Sequence, residues 1–432
     1  MQFSKFGEKF IQNSPILQLM DDLGDALNSN TPINMLGGGN PANIPEVSAA
    51  YHAAYQQIAT NGTAIESMSN YASPQGDSKF IKVLVEFFNR HYDWGLTADH
   101  IVLTNGSQNA FFYLFNLFAG QFCDGSHKSI LLPLSPEYVG YADVQVEGSY
   151  FVSLPPIIEK TTHEGREGFF KYKVDFDALE NLEELNNHNI GAICCSRPTN
   201  PTGNVLTDGE MARLKQLAKK HGISLIIDNA YGAPFPNIIH TSTTLEWDDE
   251  TILCFSLSKI GLPGVRTGII IAHPKIAKAV SNMNAIVNLS PVRFGAAIAT
   301  PLFQNDEIIR LSDAVIAPFY KKQSTFAIHR LQEEFADYPV YIHQPEGAIF
   351  LWVWFEGLPI STTKLYQILK QQGTLIIPSE HFFVGMQTAD YLHAKACIRL
   401  SIAQDDQTLD QGIKTIGEVV RQLYQNSTIT AD

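Results

Sequence analysis

The strongest constraint on the fold is a pair of short apolar runs with a helix between them. Ile190-Gly191-Ala192-Ile193-Cys194-Cys195 and Ile223-Ser224-Leu225-Ile226-Ile227 are strand-length. Both read as near-continuous apolar runs, the pattern of strands covered on both faces. The segment between them carries Leu214, Leu217 and Ala218 at helical spacing, with Thr207 or Asp208 placed to cap its start and Gly222 to close it. Strand, helix, strand at this length is a βαβ unit, whose two strands run parallel in one buried sheet. Ile101–Thr104, Ile130–Leu134, Thr251–Phe255 and Ile269–Ala272 are further strand-length runs. The expected fold class is α/β, a large domain with a mostly parallel central sheet flanked by helices. Past about residue 300 the pattern changes. A largely helical stretch, 302–331, breaks near Pro318, and strands are expected at 348–355, 375–377 and 397–402 with a helix at 363–371. Such a run of unlike elements suits a smaller α+β domain. At 432 residues the chain exceeds a single core. It divides into an N-terminal segment joining the small domain (1–48), a large domain (49–315) and a small C-terminal domain (316–432).

Tyr138, Asn200, Asp228, Tyr231, Ser256 and Lys259 each come just after an expected strand. In open α/β sheets ligands bind beyond the carboxyl ends of the strands. A lone lysine is ordinarily a solvated one. Lys259, however, sits on a Gly/Pro-rich loop, Ser256 to Gly268, carried between two core strands. Ser256-Leu257-Ser258-Lys259 also matches S-x-x-K, but the S-D-N and K-T-G partners of that serine nucleophile are missing. The junction Thr104-Asn105-Gly106-Ser107-Gln108 leads from strand to helix, and free N–H groups at such a helix start favour a phosphate. No G-x-x-x-x-G-K-[ST] sequence occurs, which argues against a nucleoside triphosphate in a P-loop. Gly37-Gly38-Gly39 lets a ligand approach the main chain, without the strand–G-x-G-x-x-G–helix context of a dinucleotide site.

A net charge of −14 argues against nucleic acid and anionic membranes as partners. No apolar run reaches the length of a membrane span, and the first residues lack the apolar segment of a signal peptide. Five cysteines without a C-x-x-C pair suggest reduced thiols and no zinc site, so a cytoplasmic location is expected.

Taken together, a loop lysine, a strand-end aspartate, a tyrosine and asparagine pair, a stacking aromatic and a phosphate nest with an arginine are what pyridoxal 5'-phosphate requires. The lysine bonds to the cofactor, the carboxylate keeps the pyridine nitrogen protonated, and amides, hydroxyls and a guanidinium hold the phosphate dianion. The order of N-x-x-x-x-x-G (Asn70 to Gly76), N-P-T-G (Asn200 to Gly203), D-N-A-Y (Asp228 to Tyr231), S-x-S-K (Ser256 to Lys259), P-G-x-R-x-G (Pro263 to Gly268) and R-L-S (Arg399 to Ser401) resembles the fold type I aminotransferases. The resemblance runs to about residue 402 and is closest to family members that use valine and pyruvate. Phe3–Gly7, Leu36–Pro41, Thr104–Gln108, Phe111–Gly120, Ser196–Asn204 and Pro345–Trp352 carry that closer likeness.

The resemblance implies roles. Lys259 is the cofactor lysine and the base at the substrate Cα. Asp228 pairs with the pyridine nitrogen, Asn200 and Tyr231 meet the ring oxygen, and Tyr138 stacks on the ring. Gly106, Ser107, Gln108, Ser256, Ser258 and Arg266 surround the phosphate, with Ser256 the firmer serine and Ser258 able to face the core instead. Tyr71 reaches a phosphate across the interface of a homodimer with shared active sites. Arg399, with Asn200 and the backbone of Gly38 and Gly39, clamps the substrate α-carboxylate. Arg293 lies where some relatives place a second arginine for acidic side chains. The implied reaction is amino-group transfer between valine or alanine and pyruvate or 3-methyl-2-oxobutanoate. An aminotransferase for acidic or aromatic amino acids or a lyase on the same scaffold, and a non-catalytic cofactor-sensing regulatory domain, are the alternatives. The regulatory reading lacks room for an N-terminal DNA-binding module.

Overall fold

The computed structural model of the chain describes residues 1–11, 24, 33–148 and 150–429. Its central sheet runs, in spatial order, Ile101–Thr104, Gly268–Ile271, Thr251–Ser256, Ser224–Asp228, Ile190–Ser196, His127–Leu132 and Gly120–Gln121, with Phe151–Ser153 also paired to His127–Leu132. The middle of the sheet is parallel. Gly268–Ile271 runs antiparallel to both its neighbours, so the sheet is mixed where the sequence reading expected it mostly parallel. The reason is local. A parallel neighbour needs a crossover of a dozen or more residues, usually a helix, and the loop 257–267 carries the chain straight back. Every residue of Thr251–Ser256 and Ile190–Ser196 is buried. Alternate side chains serve opposite faces: Cys195 joins one apolar cluster and Cys194 the other.

The helices form where the apolar spacing placed them. In Ser78–Tyr92 the residues Phe80, Ile81, Val83, Leu84, Phe87 and Phe88 are buried, and the Asp77 carboxylate accepts from the Lys79 and Phe80 amides. Asp208–His221 starts on a Thr207/Glu210 capping box and stops at Gly222, whose φ of 65° favours glycine. The expected break at Pro318 takes another form. Pro318 opens the helix Ala317–Glu334, where its missing N–H costs little, and a π-turn at Ser312–Ile316 joins it to the preceding helical turns.

A second sheet runs Ile377–Pro378, Cys397–Ser401, Phe350–Phe355, Val340–His343, Arg166–Lys173 and Ile157–His163. The sequence division places 157–173 in the large domain; in the fold this hairpin pairs with the C-terminal strand Val340–His343, through Phe169 and Phe170. The N-terminal strand Asn34–Met35 lies parallel to Thr374–Leu375, and the Leu36 carbonyl accepts from the Ser401 amide at 2.7 Å. These contacts carry the glycine segment 37–39 to the junction of the two sheets. Residues 12–23 and 25–32 of the N-terminal segment lie outside the described residues. Among the described residues no helix is long and apolar enough to cross a membrane.

Candidate active site

Parallel strands bring their carboxyl ends into line. Ser196, Asp228 and Cys254 are register partners across three neighbouring strands, and on the antiparallel side Ser256, Gly268 and Thr104 line up in the same way. The residues just beyond these ends enclose a cavity of about 120 Å³. Its walls include Ser107, Gln108, Tyr138, Asn200, Asp228, Tyr231, Ser256, Ser258, Lys259 and Arg266, all expected from the sequence, and Ser196, Pro198 and Ala230, which were not.

One end of the cavity is built for an anion. Gly106, at φ 89°, turns the chain into the helix Ser107–Phe118. A Cβ on Gly106 would lie 2.2 Å from the Arg266 guanidinium, so only glycine allows this approach. Arg266 has no carboxylate partner among the described residues; its nearest acceptors are the Pro263 carbonyl at 3.3 Å, Ser258 Oγ at 3.4 Å and the Asn105 carbonyl at 3.5 Å. The Ser258 amide donates to Ser256 Oγ at 3.1 Å, leaving the Ser256 hydroxyl free to donate. The Gln108 side-chain amide donates to the Gly140 carbonyl at 2.6 Å.

The opposite end is acidic. Asp228 is 8% exposed. Its carboxylate accepts from Tyr141 Oη at 2.9 Å and from the Ala230 amide at 3.1 Å. Burial pushes its pKa up to about 6 against the pull of those hydrogen bonds and of Lys259. Lys259 Nζ donates to the Gly39 carbonyl at 2.7 Å, so the lysine loop touches the glycine segment directly. Burial, and then the charge of Arg399, bring the Lys259 amine down to about 8, with Asp228 opposing. Tyr138 packs edge-on against Tyr141 above the strand ends.

Arg399 comes from the second sheet. It donates to Asn200 Oδ1 and to the Gly37 carbonyl, both at 2.8 Å, and its guanidinium lies 4.1 Å from the Phe350 ring centroid. Its Nε is buried without a partner, as is Tyr231 Oη. Burial lowers the Arg399 pKa to about 10. A buried cation with an idle donor and no acid beside it is costly unless a ligand anion completes it.

Two expected residues stand apart. Tyr71 is 81% exposed and does not line the cavity. Arg293 binds Asp77 at 3.0 Å and Glu66 at 3.2 Å and is not a free cation. Sequence reading also missed Tyr141, Glu137, Phe350 and the Gly37 carbonyl. Tyr141 and Glu137 stand in the same strand-end turn as Tyr138, which was the available signal.

The donor set fits pyridoxal phosphate: an anion nest at one end, an aromatic beside the strand ends, a carboxylate opposite, an amine within the cavity and an idle tyrosine hydroxyl. The comparisons with known proteins agree. The family model described as aminotransferase class I and II matches residues 39–416. The chain is 44% identical to the valine–pyruvate aminotransferase of Escherichia coli K12 over 99% of this chain and 100% of that protein. The crystal structure of valine–pyruvate aminotransferase from Salmonella typhimurium LT2 superposes with a TM-score of 0.85 at 42% identity, over 95% of this chain and 99% of that one. A crystal structure from Psychrobacter arcticum 273-4, described as an amino-acid aminotransferase, superposes with a TM-score of 0.97 at 63% identity, over 99% of this chain and 100% of that one.

Proposed function

We infer the reaction from one premise: the chain belongs to the class I and II aminotransferases. It is a pyridoxal 5'-phosphate enzyme that moves an amino group between a neutral aliphatic amino acid, valine or alanine, and a 2-oxo acid, pyruvate or 3-methyl-2-oxobutanoate, in two half-reactions. When bound, the cofactor supplies the carbonyl that takes up the amino group and an electron sink for the substrate Cα. The residues of the chain do the rest. Arg266, Ser256 and the helix start at Ser107 hold the phosphate. Asp228 holds a proton on the ring nitrogen. Tyr138 covers the ring, and Asn200 and Tyr231 meet its oxygen. Lys259 anchors the cofactor between turnovers and moves the proton at the substrate Cα. Arg399, with Asn200, grips the α-carboxylate.

The observation that carries the reading is Arg399. Its buried guanidinium meets Asn200, a wall of the cavity, with Nε idle and no acidic partner among the described residues, so one carboxylate per substrate would complete it. A second substrate carboxylate finds no comparable cation among the described residues, and Arg293 is already held by Asp77 and Glu66. Burying that carboxylate unpaired carries a large desolvation cost, whereas a branched aliphatic side chain gains roughly 1–3 kcal/mol from burying its methyls. The expected result is a kcat/KM for valine and alanine about 100-fold or more above that for aspartate or glutamate. Arg293→Ala leaves this order unchanged. A preference for aspartate that disappears in Arg293→Ala would overturn the neutral-pocket reading.

Tyr71 supports a homodimer. It is exposed, as are Ile65, Met68, Ile286 and Leu289, and across a dimer interface it would complete the phosphate nest of the partner subunit. Tyr71→Ala and Lys259→Ala, each inactive alone, regain about a quarter of wild-type activity after mixing and reassembly, since half of the random dimers then hold one intact site. Mixtures that stay inactive, while hybrid dimers are shown to form, contradict shared sites.

A further inference from the structure

Behind Asp228 lies a second buried acid. Glu137 is 2% exposed, and no cation among the described residues contacts its carboxylate. Its Oε1 accepts from the Ser196 amide at 2.9 Å, and its Oε2 lies 2.5 Å from Ser196 Oγ and 3.3 Å from the Tyr138 amide. Ser196 Oγ lies 3.3 Å from Tyr141 Oη, which in turn lies 2.9 Å from Asp228 Oδ2. The chain Glu137–Ser196–Tyr141–Asp228 is therefore continuous. Its members come from the strand-end turn 135–141 and from register neighbours on two parallel strands.

Counting protons narrows how it is wired. Three hydrogen bonds join four groups, and each needs one proton. Ser196 and Tyr141 own one apiece. With both carboxyls ionised, Ser196 donates to Glu137 and Tyr141 to Asp228, and the two hydroxyl oxygens face each other with no proton between them. One added proton completes the chain in either direction; the direction that leaves Asp228 free to serve a ring nitrogen puts it on Glu137, with Glu137 donating to Ser196, Ser196 to Tyr141, and Tyr141 to Asp228. Asp228 then stays anionic with a donor at its back and its front open to the cavity.

We propose that Glu137 is a positioning residue kept as a neutral carboxylic acid, which acts through Ser196 and Tyr141 to hold Asp228 ionised and oriented. The proposal rests on the reading of Asp228 as the partner of the ring nitrogen. Burial, with Asp228 nearby, pushes Glu137 up to about 8 and leaves Asp228 near 6, the order this wiring requires. Hydrogen-bonded chains of this kind strengthen along their length in a low dielectric.

Three variants and one spectrum test it. In Glu137→Gln the side-chain amide can still donate to Ser196 Oγ while its oxygen accepts from the Ser196 amide, so kcat stays within about twofold of wild type. Glu137→Met fills the space without a donor, and Tyr141→Phe removes the last link. Each lowers kcat roughly tenfold with KM little changed, and each moves the ¹⁵N resonance of a labelled cofactor ring nitrogen toward its unprotonated position. Infrared spectra of both apoenzyme and holoenzyme at neutral pH show the C=O band of a protonated carboxylic acid, which Glu137→Gln abolishes. Absence of that band in the wild type overturns the proposal even if variants misfold. So does a Glu137→Gln enzyme as impaired as Glu137→Met, which would mean that the charge of Glu137 is needed. Wild-type kinetics in Glu137→Met and Tyr141→Phe would show that the chain does not act on Asp228. Failure of the function reading is separate: the wild type would then lack transamination, while the apoenzyme spectrum still reports on Glu137.

Discussion

Lys259→Ala is expected to bind pyridoxal phosphate and to lose roughly 10⁴-fold or more in kcat, because one residue supplies both the anchor and the base. Retention follows from the groups left behind. The helix start at Ser107, Ser256 and Arg266 still hold the phosphate, and Asp228 still faces the ring nitrogen. The loss follows from the state of the amine. A lysine with a pKa near 10.5 is neutral in only about 0.1% of molecules at pH 7.5, whereas one near 8 is neutral in about a quarter. Burial makes that difference, and no neighbouring side chain replaces it. Tyr231 is packed beside Lys259, but its own hydroxyl is pushed well above the usual range by burial and cannot serve as a base near neutrality. The measurements are single-turnover kinetics with valine, the cofactor absorbance, and peptide mapping after borohydride reduction of the wild type. Reduction fixes the cofactor on Lys259. Label on Lys171, which is held by Glu346, or on any other lysine would end the assignment.

Asp228→Asn is expected to cost about 10²–10³-fold in kcat, the size of removing one preorganised charge from a dry site. The change preserves shape and removes only the negative charge that keeps a proton on the ring nitrogen. Cofactor affinity falls less, because the phosphate nest is untouched. Tyr141 gives the result a second signature. In the wild type its hydroxyl donates to the carboxylate. An amide can turn its oxygen to the same donor, though its NH2 then faces the Ala230 amide, so Asp228→Asn keeps the fold with a small fall in melting temperature while the chemistry fails. Asp228→Ala additionally leaves the Tyr141 hydroxyl without that acceptor, at about 1–3 kcal/mol in stability. Near-normal turnover in Asp228→Asn would remove Asp228 from the proposed mechanism.

Much of this was legible without coordinates, and the readable parts share a cause. Buried strands announce themselves by local apolar runs, helices by spacing and caps, and the residues following each strand by adjacency alone. Asp228, Asn200 and Lys259 could be named because a parallel sheet delivers whatever follows its strands to one edge. The mixed strand direction was readable in principle from the shortness of the loop 257–267, which holds only a 3-10 turn at Pro263–Val265. The hairpin 157–173 was harder. Its first strand is largely exposed, so it carries little apolar signal, and only pairing with the distant strand Val340–His343 gives it a place.

What the sequence determined by itself was therefore the set of side chains presented at the sheet edge, since that depends on period and adjacency. The tertiary structure alone decided their partners. Arg399 meets Asn200 and the Gly37 carbonyl only because the second sheet docks against the first. Arg293 is held by Asp77 and Glu66 only because the starts of the helices Ser78–Tyr92 and Phe294–Gln304 meet beside the helix Thr63–Ser69. Glu137 reaches Asp228 only through hydroxyls contributed by Ser196 and Tyr141. Charge, idle donors and proton wiring belong to contacts between residues far apart in the chain. A linear pattern does not encode those contacts, whereas packing at close to crystal density leaves each buried polar group one set of partners.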